Sequence, residues 1–173
     1  SLEDVHRAGA DYVLDNHPDA EVMGTKRWRS PRDNIHHLEG RVRLFDCDLR
    51  DLSSLIDMLS KAKPEVIFHL AAQSYVKTSY TAPADTIETN VTGTINLLEA
   101  VRINELDPTI HVCSSSEVYG QVDEKDVPIK EDCALRPVSP YGVSKVGEDM
   151  AAYMYHAAYG LKTVRSRMFT HSG

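Results

Sequence analysis

Apolar residues recur along the chain in two rhythms, and these alternate. Residues 2–16 place Val5, Ala8, Tyr12 and Val13 at helical spacing. Residues 20–25 form a short apolar run and 41–49 alternate through Val42, Leu44 and Cys47, both strand-like patterns. An amphipathic helix is predicted over 52–62, stopped by Pro64. The continuous run at 65–72 reads as a strand covered on both faces. A long helix is predicted over 84–104, where an interior Gly93 implies close packing, and a strand over 109–116. Residues 139–160 carry helix punctuation: Ser139 as N-cap, Pro140 in the first turn and Gly160 as the stop. A last strand follows at 161–169. Strands and helices in this order predict an α/β domain built on a doubly wound parallel sheet.

Ligands of such sheets bind at the carboxyl ends of the strands, and here those ends carry polar chemistry. They read "DCDL" (46–49), "HLAAQS" (69–74) and "SSSEVYG" (114–120), with "MFTHSG" (168–173) as a fourth. The irregular stretch 120–139 is rich in charge and proline. It reads either as a solvated connection or as the border of a site.

Composition narrows the partners. Lys and Arg number 19 against 26 Asp and Glu, a net charge of −7, which argues against nucleic acid as the main partner. Cys47, Cys113 and Cys133 are widely spaced and form no CxxC, so neither a zinc site nor a disulfide framework is indicated. The adjacent His36 and His37, and His6, have no partner at metal-ligand spacing. No apolar run approaches the ~18 residues that span a bilayer. The opening residues lack the apolar core of a signal peptide. These features imply a soluble protein with no membrane partner in a reducing, cytoplasmic setting.

The stretch "SPYGVSK" (139–145) places Tyr141 four residues before Lys145, on one helix face. A free phenol has a pKa of ~10, and a neighbouring ammonium favours the phenolate. Such a pair can take a proton from a hydroxyl while hydride leaves the carbon. Ser114, Ser115 and Ser116 end a strand where a hydroxyl can bond the reacting oxygen, and Glu117 follows at once.

With "HLAAQS" and "ETNVTGTINLLEAV" (88–101), these motifs resemble the extended short-chain dehydrogenase/reductase superfamily. Within its nucleotide-sugar branch they most resemble the GDP-mannose 4,6-dehydratases, from about Ala10 to Gly173. The resemblance implies a catalytic set of Ser115, Glu117, Tyr141 and Lys145. Tyr141 is the expected base, Lys145 tunes it and holds the nicotinamide ribose, Ser115 bonds the sugar C4 oxygen and Glu117 is the dehydratase carboxylate. For the cofactor it implies Asp48 and Leu49 at the adenine. Leu70, Ala71, Ala72, Gln73 and Ser74 pass beneath it, and His171 lies near it. Arg27 and Arg29 stand where an acid would bind a ribose 2′-hydroxyl, so NADP is expected over NAD. Tyr141 would remove the C4 hydroxyl proton as hydride passes to NADP+; Glu117 would then take the C5 proton, water would leave from C6, and hydride would return there. Ser116 occupies the place where dTDP-glucose dehydratases carry an Asp before the Glu, which favours the GDP-mannose type.

Three readings follow. The first is a nucleotide-sugar 4,6-dehydratase. The second is a related 4-keto-6-deoxy-sugar reductase or an epimerase, and the third a non-catalytic fragment that binds no cofactor. The superfamily's first strand and glycine-rich loop are missing from this chain, as is its smaller C-terminal substrate region. Residues 1–173 are therefore expected to be a partial dinucleotide-binding domain, flanked in the sheet by two unpaired inner edges. The full-length protein is expected to form a homo-oligomer through helices containing "NVTGTINLLEAV" and "MAAYMYHAAY".

Overall fold

A computed structural model of the chain describes residues 2–28, 36–38 and 40–170. Among these residues there are five parallel strands: β1 (Met23–Lys26), β2 (Arg43–Asp46), β3 (Val66–His69), β4 (Thr109–Ser115) and β5 (Lys162–Met168). They divide into a β1-β2 sheet and a β3-β4-β5 sheet. β1 pairs only with β2, and β3 only with β4, among the described residues, so each sheet keeps an unpaired edge. The helices are α1 (Leu2–Asn16), α2 (Leu52–Ala62), α3 (Val76–Thr81), α4 (Pro83–Ile87), α5 (Gly93–Ile103) and α6 (Pro140–Tyr159).

Helices α2, α5 and α6 form one layer over the inward face of β4. Ile110 and Val112 are fully buried there against Leu55, Leu98, Val101 and Ala152. Burying each such aliphatic side chain contributes about 1.5–3 kcal/mol, which makes this layer the main source of stability. The punctuation read in the sequence operates as expected. Ser139 Oγ accepts from the Gly142 amide at 2.9 Å, and Gly160 ends α6 at φ 75°. Asp51 caps α2 in the same way by accepting from Ser53 N.

Two expectations change. β3 is not covered on both faces: Val66 is 52% and Phe68 63% exposed, while His69 on the opposite face is buried. Continuous apolarity shows what a strand could bury, but the helices described here pack on one face only. The helix expected over 84–104 is also interrupted. A π-helical turn, Glu88–Thr92, joins α4 to α5 and swings Asn90 fully inside. Helix α3, in the unmarked stretch after "HLAAQS", is short and had no apolar period to announce it.

The β2 strand end is tied to the helical layer at Leu49. Asn96 donates to its carbonyl at 2.9 Å, and Arg50 pairs with Asp85 of α4 at 3.6 Å. Gly93 permits this approach, since a β-carbon there would lie 2.9 Å from Leu49 Cβ. Gly93→Ala therefore gains about 1 kcal/mol of helix propensity but incurs overpacking of about 1–3 kcal/mol. The expected result is a net loss of stability of about 1 kcal/mol, read as a lower midpoint in urea denaturation.

Candidate active site

The site is built where the end of β4 meets the first two turns of α6. Strand alternation buries Ser114, whose hydroxyl donates to the Lys145 carbonyl at 3.2 Å. Lys145 answers with its side chain: Nζ donates to the Cys113 carbonyl at 3.0 Å. These reciprocal bonds lock the helix to the strand and place Tyr141, one turn earlier, in the interior.

Tyr141 and Lys145 do lie together. The ammonium is 5.7 Å from the centroid of the phenol ring, and both residues are buried. Ser115 lies close enough to Tyr141 for its hydroxyl to favour the ionised phenol, and that hydroxyl accepts from the Glu117 amide at 3.2 Å. This begins a 3₁₀ turn, Ser116–Val118, on which the Glu117 side chain is exposed. Gly142 lets the start of α6 pack on that turn, because a β-carbon would come within 2.9 Å of the Glu117 carbonyl. Ser115, Tyr141 and Lys145 thus gather at one strand end, with Glu117 on the turn that follows.

Electrostatics here differ from the sequence-based expectation of a phenol lowered by its lysine. Burial pushes the Tyr141 pKa up, and the opposing pull of Lys145 and Ser115 does not reverse it. Part of the reason is a carboxylate that spacing arguments overlooked. Glu148 is 1% exposed and takes Lys145 Nζ on both oxygens, at 2.9 and 3.2 Å. Burial raises the Glu148 carboxyl to about 7 despite that ion pair. Asp149, fully buried, accepts from Arg165 Nη1 at 2.6 Å and from Arg167 Nε at 2.8 Å. The signal for this second cluster was in the sequence: Arg165 and Arg167 alternate on β5, facing one side.

Arg167 also holds the irregular segment 120–139 in place. It donates to the Glu131 carbonyl at 2.8 Å and to the Tyr119 hydroxyl at 3.0 Å, anchoring that segment to the sheet. The segment encloses a cavity of about 560 Å³ lined by Tyr119, Asp123, Lys125, Lys130 and Arg136, among others. Ser115, Tyr141 and Lys145 do not line it.

The remaining expected residues occupy the neighbouring strand ends. Beyond β3, Leu70 to Ser74 are half-buried, and Asn90 grips the segment by accepting from the Gln73 amide and donating to the Gln73 carbonyl. Asn90 also donates to Ser144 of α6, so one buried amide joins this segment to the tyrosine helix. Sequence reasoning missed this residue as well. His69 is buried beside Thr94 at 2.8 Å, and burial with the Lys145 charge lowers its pKa to about 3. Beyond β2, Asp48 is held below the usual carboxylate range, chiefly by its hydrogen bond from Arg50, with Arg27 adding a weaker pull. Arg27 is exposed just past β1, whereas Arg29 and His171 lie outside the described residues. No group of three metal-ligating side chains occurs among the described residues, and no helix there is long and apolar enough to cross a membrane.

This arrangement matches known proteins. The family model described as GDP-mannose 4,6 dehydratase matches residues 10–173. The chain belongs to the GDP-mannose 4,6-dehydratase family. A GDP-mannose 4,6-dehydratase from Yersinia enterocolitica is 37% identical over 138 residues, covering 79% of this chain and 37% of that protein. Among solved structures, a dTDP-glucose 4,6-dehydratase double mutant from Streptomyces venezuelae with NAD bound superposes at a TM-score of 0.83. It is 29% identical, over 96% of this chain and 52% of that one. The RMD protein of Pseudomonas aeruginosa complexed with NADPH gives a TM-score of 0.69 at 28% identity, over 86% of this chain and 53% of that one. The chain thus spans about half the length of these solved structures, and less of the Yersinia family member.

The buried Glu148 makes stability depend on pH in a defined direction. Its carboxyl binds a proton more tightly in the folded state than in the unfolded one, where 4.5 applies. Its stabilising contribution is therefore fully present below the unfolded value and is lost as pH rises through about 7. Glu148→Gln should abolish this fall, so the stability difference between about pH 5 and about pH 8 shrinks in the variant. Denaturant midpoints for both proteins at the two pH values measure it.

Proposed function

We propose that this chain is the dinucleotide-binding part of a nucleotide-sugar 4,6-dehydratase acting on a GDP-mannose-type substrate. The observation that carries the reading is the meeting of Ser115, Tyr141 and Lys145 at the end of β4, with Glu117 on the turn that follows. The donor set fits a nicotinamide dinucleotide. Lys145 and Tyr141 would hold the nicotinamide riboside, residues 70–74 would lie beneath it, and Asp48 and Leu49 would meet the adenine. Arg27, whose charge reaches Asp48, is suited to a 2′-phosphate, which favours NADP. His171 and Arg29 complete the proposed cofactor set.

When bound, the nicotinamide supplies reversible hydride acceptance beside the sugar C4. The chain's own residues handle protons. Tyr141 takes the C4 hydroxyl proton, with Ser115 bonding the same oxygen and the Lys145 charge favouring the phenolate. The C4 ketone then acidifies the C5 hydrogen, which Glu117 removes as the C6 hydroxyl takes up a proton and leaves as water; return of the C4 hydride to C6 and of a proton to C5 would complete the 4-keto-6-deoxy sugar. Exposed on the turn after β4, the Glu117 carboxylate can reach a substrate in the cleft. A homo-oligomer, on the family resemblance, and a cytoplasmic setting, on the widely spaced cysteines, remain part of this reading.

The test is a titration of the purified protein with NADP+ and NAD+, followed by incubation with GDP-mannose. Tighter binding of NADP+ and a 4-keto-6-deoxy product with no net conversion of NADP+ to NADPH are expected. Net NADPH consumption with a 4-keto-6-deoxy sugar would instead assign a reductase, and absence of binding would refute the enzyme reading. Tyr141→Phe should lower turnover by about 10²–10⁴-fold. Glu117→Gln should abolish exchange of the C5 hydrogen with deuterated solvent while leaving oxidation at C4 detectable.

A further inference from the structure

Lys145 is over-committed for the part proposed for it. Its ammonium has three N–H donors, and the structure gives it three acceptors: the Cys113 carbonyl and both oxygens of Glu148. Nothing is left to donate to a ribose or to Tyr141 unless one of these is released. The acceptor that can be released is Glu148, because a backbone carbonyl cannot change its charge and a carboxyl can. Ionised, Glu148 also opposes the Lys145 charge felt by the phenol, whose ring centroid lies 5.7 Å from the ammonium. In agreement, Glu148 acts on Tyr141 in the direction opposite to Lys145.

We infer that Glu148 is a positioning residue that restrains Lys145 and sets the basicity of Tyr141 through it: charged, it holds the ammonium back; protonated, it releases a donor and exposes the full positive charge to the phenol. This rests on the acid/base reading of Tyr141 and Lys145. The proton change falls close to neutrality, since burial brings the Glu148 carboxyl to about 7.

Other titratable groups do not supply this behaviour. From β4, Cys113 is pushed up by burial, and His111 is pushed down, by burial and nothing else, while bonded to Ser166. From β3, His69 is neutral well below pH 7. Asp149, the next residue on α6, is committed to Arg165 and Arg167 of β5. Glu99 of α5 is turned to Arg102 and Tyr155. The charged residues on the remaining elements packed on α6 are Lys77 of α3, Asp85 of α4, Glu88 of the π turn and Glu117 of the 3₁₀ turn, and all are exposed. Among the described residues, Lys145 alone acts on Glu148 as a charge.

The experiment follows the Tyr141 phenol itself. The protein is isotope-labelled at tyrosine Cζ, the Tyr141 resonance is assigned by its loss in Tyr141→Phe, and its titration is recorded in the wild type and in Glu148→Gln. Glutamine keeps the shape and a hydrogen bond to Lys145 but removes the negative charge. The expected result is a Tyr141 midpoint lowered by about one pH unit in Glu148→Gln, a tenfold change in phenolate at fixed pH. An unchanged or higher midpoint overturns the inference. Glu148→Met provides a second uncharged replacement, and a folded variant of either kind decides the matter.

Activity then separates this inference from the proposed function. If NADP+ binds and GDP-mannose turns over, the acidic limb of the pH–rate profile should move down with the phenol midpoint in Glu148→Gln. A variant slower at every pH, with its limb unmoved, would mark Glu148 as merely structural and overturn the inference. If no cofactor binds yet the midpoint falls as stated, the coupling stands and the dehydratase reading fails.

Discussion

The crossing of β4 and α6 at Lys145 is the constraint on which the site depends. One residue uses both its main chain and its side chain to bind a strand, accepting from Ser114 and donating to the Cys113 carbonyl. Two such bonds fix how far α6 lies along β4 and how it is rotated. The consequences run in both directions along the helix. One turn upstream, Tyr141 is delivered to Ser115; one turn downstream, Asp149 is delivered to the arginines of β5, which in turn anchor the segment around Glu131. Lost individually, the neutral Ser114 bond would cost only about 1 kcal/mol and the charged Lys145 bond about 1.5–3 kcal/mol, but here they also decide which groups can meet.

Driving a lysine into that crossing creates a debt of charge. An ammonium only 4% exposed needs a compensating group, and an isolated buried ion would cost several kcal/mol. Glu148 supplies the compensation from the same helix, three residues on. Asp149 solves the same problem for two arginines from the other strand. The interior of α6 is therefore polar by necessity along one stripe and apolar along the next, where Ala151, Ala152 and Tyr155 join the core.

This explains which parts of the molecule were legible in the sequence. Caps and stops depend on neighbouring residues, so Ser139 and Gly160 could be read directly, as could the close approach at Gly93. The Tyr141–Lys145 pair follows from helical spacing, and its meeting with Ser115 from the rule that chemistry gathers at strand ends. Glu148 and Asp149 resisted reading because a charge on a helix is ordinarily assigned to the wet face. Their partners decide otherwise, and those of Asp149 lie 16 and 18 residues away. Asn90 was obscured by the π turn, which changes the face that periodicity would give it. The exposed Val66 and Phe68 show the converse limit, since a strand's apolarity does not state what covers it.

The direction of the Tyr141 pKa is the sharper lesson in magnitudes. At 4 Å and an effective dielectric of about 20, a unit charge is worth about 4 kcal/mol, enough in principle to lower a phenol by three units. That arithmetic treats the lysine as a bare charge and the phenol as solvated. Neither holds here: the phenol has lost water, and the ammonium is paired with the Glu148 carboxylate of the same helix. With both ionised, the Lys145–Glu148 pair presents only a dipole to Tyr141; with Glu148 protonated it presents a whole charge. A tyrosine four residues before a lysine therefore specifies proximity, while basicity depends on the total charge of everything the lysine touches.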